Sequence, residues 1–376
     1  MMKKIAIITF SRAHNYGSIL QGYALQKYLL KNFDCECDII DFSNKNQCEM
    51  YKVFKKNNNI KNIVKNILAL FFYKKLKREY DDFEKFISEN LILSKDKFFD
   101  SNQLKALDGK YDIYIAGSDQ VWNITCMDAD DAYFLNFVTN GKKIAYAPSF
   151  GARNILNYSK TPEKYANYIK NFDYVSIREI NGKKWIKDLT GLDVPILIDP
   201  TMFYDMEEWK KIMSPSFIKE KYILYYAFHF SQEVNKKVKE LSKKFGLPVY
   251  ILSSHGWVYN LCALYGFKLA KHSGPSEFIR LINDAEIVFS TSFHGTVFAT
   301  LFHKNFWFMY GSIQDATDDR ALTLVKQMGI EDRVIKMDEL NSIDFSKVPD
   351  YSIVDKKLES LRKEAFNYLN SSIGEK

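Results

Sequence analysis

A histidine stands where a strand-like run gives way to hydroxyl side chains and then to a helical pattern. The run Ile287–Ser290 is typical of a strand, and the helical pattern begins at His294. A helix start favours anions because its free N–H groups and its dipole face them. An imidazole there can exchange a proton near neutral pH, so His294 is a candidate catalytic residue, although a structural role is the alternative. The segment predicts a donor site with a bound phosphate, made by Thr291, Ser292, His294, Gly295 and Thr296.

A second polar segment follows the strand-like run Ile113–Ala116. It combines a carboxylate, two amides and an indole, which together can hydrogen-bond sugar hydroxyls and cover a sugar ring. Asp119 is also a candidate catalytic base that deprotonates a hydroxyl. The alternative is that Asp119 caps a turn and the tryptophan fills the core. The predicted acceptor-binding residues here are Ser118, Asp119, Gln120, Trp122 and Asn123.

Two arginines are candidate anion ligands. Arg178 follows a predicted strand at residues 174–177, where a guanidinium can hold a carboxylate or phosphate through two hydrogen bonds. We assign it to donor binding and catalysis, with a surface pair to Glu179 as the alternative. Arg320 opens a later helix after Asp318 and can bring a further cation to the donor, unless it forms only a surface ion pair.

The opening segment is a fourth candidate site. Asn15, Tyr16 and Gly17 lie between a strand-like run at residues 5–10 and a helical pattern from Ser18. Glycine allows close backbone approach, and serine can cap the helix. We expect these three residues to bind the acceptor, with a purely structural turn as the alternative.

The elements that must position these segments alternate between strands and helices along the chain. This rhythm is typical of parallel sheets with crossover helices, and 376 residues exceed what one core usually holds. We therefore expect an α/β protein of two doubly wound, Rossmann-like domains facing a cleft, with ligands at the carboxyl ends of the strands. The expected units are an acceptor domain at 1–210, a donor domain at 211–350, and a helix at 351–376 that packs back across both.

Positive charge is concentrated between residues 51 and 80, which hold nine Lys or Arg and one acid. The net charge of this segment is therefore larger than the net charge of the whole chain, which is +7. Apolar residues at helical spacing separate the lysines, as in a helix that lies on an anionic membrane. The alternative is an ordinary helix with solvated lysines. No nucleic-acid motif accompanies the charge, so we expect no nucleic-acid partner.

Other features bear on location and cofactors. No secretion-signal pattern precedes the first strand, no apolar run approaches a membrane span, and five scattered cysteines suggest no disulfide framework. We expect a cytoplasmic protein, peripheral at the inner face of the membrane if residues 51–80 bind lipid. The six histidines show no metal-ligand spacing, so we expect no metal.

Taken in order, six segments resemble the polysaccharide pyruvyl transferases, and together they run through most of the chain. The resemblance implies a GT-B-like fold, with phosphoenolpyruvate as co-substrate and no other cofactor. It also implies transfer of the enolpyruvyl group to two hydroxyls of a sugar or lipid-linked oligosaccharide. The segments are His14 to Gly17, Gly117 to Asn123, Ala145 to Gly151, Ser176 to Glu179, Asp199 to Thr201, and Ser292 to Thr296.

The resemblance also assigns roles to single residues. Arginine and histidine positions for donor binding fall on Arg178 and His294. One branch of the family carries Arg-Leu-His where this chain has Ser292, Phe293 and His294. Another cation must therefore meet the phosphate, and Arg320 and Lys304 are the two candidates.

Two other functions fit the same residues. One is a GT-B glycosyltransferase with a nucleotide-sugar donor, which predicts binding of a nucleoside diphosphate. The other is a carbohydrate-binding protein on an enzyme scaffold that has lost catalysis, which predicts sugar binding without turnover of any donor.

Overall fold

Six parallel strands form the sheet of the first half of the chain. The computed structural model describes residues 2–227, 230–310, 318–336 and 343–374. The strand order in the sheet is β3-β2-β1-β4-β5-β6. This is the doubly wound order, in which β2 and β3 are added on one side of β1 and the later strands, from β4, on its other side. The strands are β1 (Lys3–Ile8), β2 (Cys35–Phe42), β3 (Leu93–Phe98), β4 (Ile113–Ala116), β5 (Lys142–Ala145) and β6 (Tyr174–Val175).

The second half of the chain repeats this topology. Its six parallel strands are ordered β12-β11-β10-β7-β8-β9. This is the same doubly wound order, with the switch point between β7 and β10. The predicted architecture of two Rossmann-like units is thus confirmed. The strands are β7 (Ile223–Tyr226), β8 (Val249–Ile251), β9 (Lys268–Leu269), β10 (Ile287–Ser290), β11 (Asn305–Tyr310) and β12 (Val334–Lys336).

Helices cover both faces of the sheets, as the crossovers between parallel strands require. In the first half they are α1 (Tyr16–Asn32), α2 (Lys45–Tyr51), α3 (Ile60–Phe71), α4 (Tyr73–Asn90), α5 (Ile155–Tyr158), α6 (Pro162–Lys170), α7 (Ile180–Thr190) and α8 (Met206–Lys210). In the second half they are α9 (Gln232–Phe245), α10 (Ser254–Tyr259), α11 (Pro275–Asp284), α12 (Phe293–Leu301), α13 (Arg320–Met328) and α14 (Tyr351–Ile373).

The C-terminal helix α14 contacts both halves. Its Tyr368 hydroxyl donates to the carbonyl of Ala145 in the first sheet, at 2.9 Å. Its Asp355 lies 3.0 Å from His303, which precedes β11 in the second. The helix therefore ties the two sheets together outside the cleft, and the boundary predicted at residue 210 falls between the end of β6 and the start of β7.

The predicted strands match the central strands and miss three at the sheet edges. Strands β3, β9 and β12 are edge strands, short or rich in lysine, and so carry little of the apolar pattern that identifies a buried strand. The strand predicted at 195–198 was wrong, because only a single bridge joins Ile177 to Ile196 there. A strand was predicted at 222–228; Phe228 lies outside the described residues, and β7 ends at Tyr226.

Candidate functional site

A cavity of about 510 Å³ lies where the carboxyl ends of the two sheets face each other. Residues from both halves line it, among them most of the predicted site residues. Parallel strands bring their carboxyl ends to one edge of a sheet, which explains why distant segments meet here. The predicted residues at its wall are Asn15, Asp119, Gln120, Asn123, Arg178, Thr291, Ser292, His294 and Arg320.

Asp119 is held at the wall in a strained conformation. Its φ is 76°, a region that costs a residue with a side chain about 1–3 kcal/mol and is found mostly at functional sites. The Asp119 side chain accepts hydrogen bonds from the Ser18 hydroxyl and from the Gln120 N–H at 2.8 Å. The carboxylate is therefore fixed between the start of α1 and the turn after β4, in reach of a ligand in the cavity.

Arg178 is 3% exposed and lines the cavity. Its Nη1 donates to Asp199 Oδ2 at 2.6 Å, and its guanidinium lies 4.2 Å from the centre of the Phe293 ring. Within the described part of the chain, Nε and Nη2 have no hydrogen-bond acceptor, although Asp119 Oδ1 lies 3.9 Å from Nη2 and Glu179 Oε2 lies 4.0 Å from Nε. Buried charged donors without a hydrogen-bond acceptor are costly, so an anion that accepted hydrogen bonds from Nε and Nη2 would be stabilised here.

His294 lies in the first turn of α12, where Ser292 is the N-cap. The imidazole is 5% exposed, and its Nε2 lies 3.4 Å from Asp199 Oδ2. Its other edge faces Gly17, where a Cβ atom would lie 1.9 Å from Nδ1. A side chain at position 17 is therefore excluded, and the glycine predicted to bind the acceptor instead makes room for the histidine.

Asp199 joins the two candidate donor residues, and the sequence pattern gave it no role. Its Oδ2 accepts from Arg178 and from the Ser118 hydroxyl at 3.0 Å, and it faces His294. Its Oδ1 accepts from the N–H of Thr201 at 3.0 Å and from the hydroxyl of the same residue at 2.7 Å. Burial raises the pKa of Asp199, but the charges of His294 and Arg178 outweigh burial and hold that pKa well below its ordinary value. The sequence signals were an acid before proline after a short apolar run and the family resemblance of the segment Asp199 to Thr201.

Three arginines bring positive charge to the cavity wall. Arg320 binds Asp318 through two hydrogen bonds of 2.8 and 2.6 Å, so much of its charge is already compensated. Arg153 also lines the cavity, and sequence reasoning missed it because it stands just beyond the segment ending at Gly151. Lys304 lies just before β11, at the amino ends of the strands and so away from the cavity, and donates to the Asn283 carbonyl. Its prediction as a phosphate ligand was therefore wrong.

Six predicted site residues do not line the cavity. Trp122 is fully buried and stacks on Phe134 with ring centres 5.3 Å apart, so its expected contact with a sugar ring was wrong. Tyr16 stacks on Phe278 in the core between the halves. The hydroxyls of Ser118 and Thr296 are used inside the protein, and a Cβ at Gly295 would collide with Ser290. These six residues pack behind the cavity wall and do not form part of it: Tyr16, Gly17, Ser118, Trp122, Gly295 and Thr296.

Glu179, next to Arg178, supplies a pH-dependent stability prediction. Burial raises its pKa to about 7, although Arg178 opposes the shift. A carboxyl with a raised folded pKa costs stability as pH rises above its unfolded value of about 4.3, and the cost stops growing near pH 7. We expect Glu179→Gln to be more stable than wild type at pH 8 by roughly 3 kcal/mol and to differ little at pH 4. Urea unfolding at both pH values measures this, and an equal difference at the two would contradict it.

The described ranges of the chain contain neither a candidate metal cluster nor a candidate membrane span. In residues 2–227, 230–310, 318–336 and 343–374 there is no group of three His, Cys, Asp or Glu side chains arranged to hold a metal ion. None of the helices described there is both long enough and apolar enough to cross a bilayer.

Comparisons with known proteins give a family and a fold. The family model described as polysaccharide pyruvyl transferase matches residues 15–312. No curated protein matches the chain. Among solved structures, S. aureus MnaA in a structure with UDP has 12% identity and a TM-score of 0.56, covering 99% of this chain and 97% of that one. UDP-GlcNAc 2-epimerase from Neisseria meningitidis, bound to UDP-GlcNAc, has 12% identity and a TM-score of 0.47, covering 100% and 95%. The match to MnaA supports the expected GT-B-like fold.

Proposed function

The chain belongs to the polysaccharide pyruvyl transferase family, and we propose that it transfers the enolpyruvyl group of phosphoenolpyruvate to two hydroxyls of one sugar. The products are a pyruvate ketal and phosphate. The observation that carries the proposal is Arg178 at the cavity wall, whose Nε and Nη2 have no hydrogen-bond acceptor among the described residues, beside a helix start with His294. This arrangement suits a small ligand that carries both a carboxylate and a phosphate.

The donor binds through charge and helix-end contacts. The carboxylate of phosphoenolpyruvate accepts hydrogen bonds from Nε and Nη2 of Arg178, which lack other acceptors in the described chain. The phosphate lies at the start of α12, near Thr291 and Ser292, where the helix dipole favours an anion. We place Arg153, which lines the cavity and donates from Nη1 to the Tyr158 hydroxyl at 2.8 Å, in the role of the missing motif arginine.

The acceptor lies against the first half of the chain. Amide side chains of Asn15, Gln120 and Asn123 line that side of the cavity and can bond sugar hydroxyls. With Trp122 in the core, the Tyr51 ring at the wall is the aromatic surface that can cover a sugar ring. Asp119 accepts the proton of the attacking hydroxyl.

Protons balance within the site. Protonation of the methylene carbon by His294 makes the neighbouring carbon electrophilic, and the first sugar hydroxyl attacks it. Phosphate leaves and the second hydroxyl closes the ketal. The two hydroxyl protons end on the new methyl group and on the phosphate, so no net proton is released. Asp199 Oδ2, 3.4 Å from Nε2, holds the imidazole in position.

Arg178→Lys tests the donor assignment. A lysine retains the charge but cannot make two parallel hydrogen bonds, so we expect KM for phosphoenolpyruvate to rise by roughly 10- to 150-fold, the value of one or two hydrogen bonds to a charged group. Phosphate release at varied phosphoenolpyruvate, with a panel of glycans as acceptors, measures it. Arg280→Lys is the matched control, because Arg280 pairs with Asp284 on α11 away from the cavity.

Calorimetry separates this function from its competitors. Wild type should bind phosphoenolpyruvate, and Arg178→Lys should bind it more weakly. Heat with a uridine diphosphate sugar and none with phosphoenolpyruvate would favour a glycosyltransferase. Binding of glycans alone, with no turnover of either donor, would favour a non-catalytic carbohydrate-binding protein.

A further inference from the structure

The helix α3 presents its apolar side chains to solvent. Ile60 is 77% exposed, Leu70 68% and Phe71 80%. Ile63, Val64 and Ile67 are also exposed. At 3.6 residues per turn the six occupy one stripe roughly 120° wide. A contiguous exposed apolar surface on a folded protein marks an interaction site.

The opposite side of α3 fastens it to the protein. Ala69 is fully buried and lies in a small cluster with Leu76 and Val258. Asn66 donates to the carbonyl of Lys55 at 2.8 Å and accepts from the N–H of that residue at 2.8 Å. The helix is thus held by its narrow inner side, and the outer apolar stripe is unused by the described fold.

Positive charge borders the stripe. Lys61 and Lys65 are exposed and lie on one side of the helix, between the stripe and the inner side, where the Lys65 ammonium is 5.5 Å from the centre of the Tyr259 ring. Lys56, which lies 3.7 Å from Glu49, precedes the helix, and Lys74 follows it. The single acid of this segment, Glu79, is buried and lies 3.2 Å from His255, so it does not offset the lysines. An apolar stripe bordered by cations complements a bilayer with anionic head groups.

A short segment connects α3 to the wall of the cavity. Helix α2 ends at Tyr51, which lines the cavity, and residues 52–59 lead from there to α3. On the other side, α4 is anchored to the second half, where Asp82 accepts from the Ser273 N–H at 3.0 Å. A surface that holds α3 would therefore be joined to the cavity wall by this single short segment.

We propose that α3 lies in the interface of an anionic lipid bilayer, with its apolar stripe between the acyl chains and its lysines at the lipid phosphates. The inference rests on exposure and charge alone, so it does not depend on the reaction in the cavity. With the proposed function, it would bring the cavity to a lipid-linked acceptor.

Vesicle sedimentation tests the proposal. We expect the wild-type chain to sediment with vesicles of equal phosphatidylglycerol and phosphatidylcholine, less at high salt, and not with phosphatidylcholine alone. Ile67→Asn with Phe71→Asn should weaken binding at least about 100-fold, since each inserted side chain contributes at least about tenfold. Lys61→Gln with Lys65→Gln should weaken it by about 30-fold.

Matched controls change equally exposed residues elsewhere. Val348→Asn with Ile353→Asn alters two side chains that are 51% and 50% exposed, and Lys236→Gln with Lys243→Gln removes two exposed lysines from α9. Both controls should bind as wild type does, and all four variants should unfold at the wild-type temperature.

Three results would overturn the proposal. The first is equal vesicle binding by wild type and both α3 variants, and the second is no vesicle binding by wild type. The third is a wild-type dimer, seen by analytical ultracentrifugation without lipid, that Ile67→Asn with Phe71→Asn converts to monomer, since the stripe would then join two copies of the chain.

Discussion

Replacing His294 with alanine is expected to lower the turnover of phosphoenolpyruvate by roughly 10²- to 10⁴-fold, the usual contribution of a positioned acid or base. The imidazole is 5% exposed at the cavity wall and lies 3.4 Å from Asp199. That contact fixes the orientation of the ring that donates to the methylene carbon. Without the imidazole, water must supply the proton from an unfixed position.

The effect should fall on kcat more than on donor affinity. Arg178 and the N-terminus of α12 remain in the variant, so calorimetry should detect phosphoenolpyruvate binding close to that of wild type. The control is His303→Ala, because His303 is a half-exposed histidine paired with Asp355 away from the cavity. Wild-type turnover by His294→Ala would remove the histidine from the mechanism, and a change in KM alone would make it a binding residue.

Asp199→Asn is expected to reduce both activity and stability. Each Asp199 oxygen accepts two hydrogen bonds, one pair from Arg178 and Ser118 and the other from Thr201. An asparagine amide nitrogen cannot accept, so one pair is lost in either orientation. Arg178 would also be left as a buried charge without its partner, and removing one partner of a buried ion pair typically costs roughly 3–5 kcal/mol.

The pH dependence distinguishes the charge of Asp199 from its shape. Because its folded pKa is depressed, its stabilisation is fully present above the ordinary aspartate pKa of about 3.9 and is lost as pH falls toward the folded pKa. The difference in unfolding free energy between wild type and Asp199→Asn should therefore be constant from pH 7 to about pH 5 and should narrow below about pH 4.

Denaturant unfolding across this pH range, together with kcat at pH 7, measures both effects. The control is Asp205→Asn, since Asp205 caps α8 at the surface and asparagine caps helices about as well as aspartate. A pH-independent difference would show that geometry rather than charge makes Asp199 important. Full activity in Asp199→Asn would separate this residue from His294.

The central part of the fold could be predicted from the sequence because its signals are local. Apolar runs such as Ile113–Ala116 and Ile287–Ser290 agree with β4 and β10 residue for residue. The polar turns after them must lie at one edge of a parallel sheet. For that reason the pattern of strands and turns was enough to expect Asp119, Arg178 and His294 in one cleft.

What each turn residue faces was decided by contacts across the chain. Trp122 and Tyr16 looked like ligand-binding aromatics, yet long-range packing places both rings in the core. Asp199 looked like a turn residue, yet it joins Arg178, 21 positions before it, to His294, 95 positions after it. Side-chain direction at a turn depends on neighbours that sequence spacing does not specify.

The sequence alone therefore determined two parallel sheets, the turns that carry the chemistry, and a basic amphipathic segment. Only the tertiary structure decided that Gly17 makes room for His294, that Lys304 lies at the end of its sheet away from the cavity, and that the apolar side of α3 faces outward. Periodicity reports that a helix or strand has an apolar face, because side chains repeat along the backbone. Whether that face meets the core, a ligand or solvent depends on which distant elements pack against it.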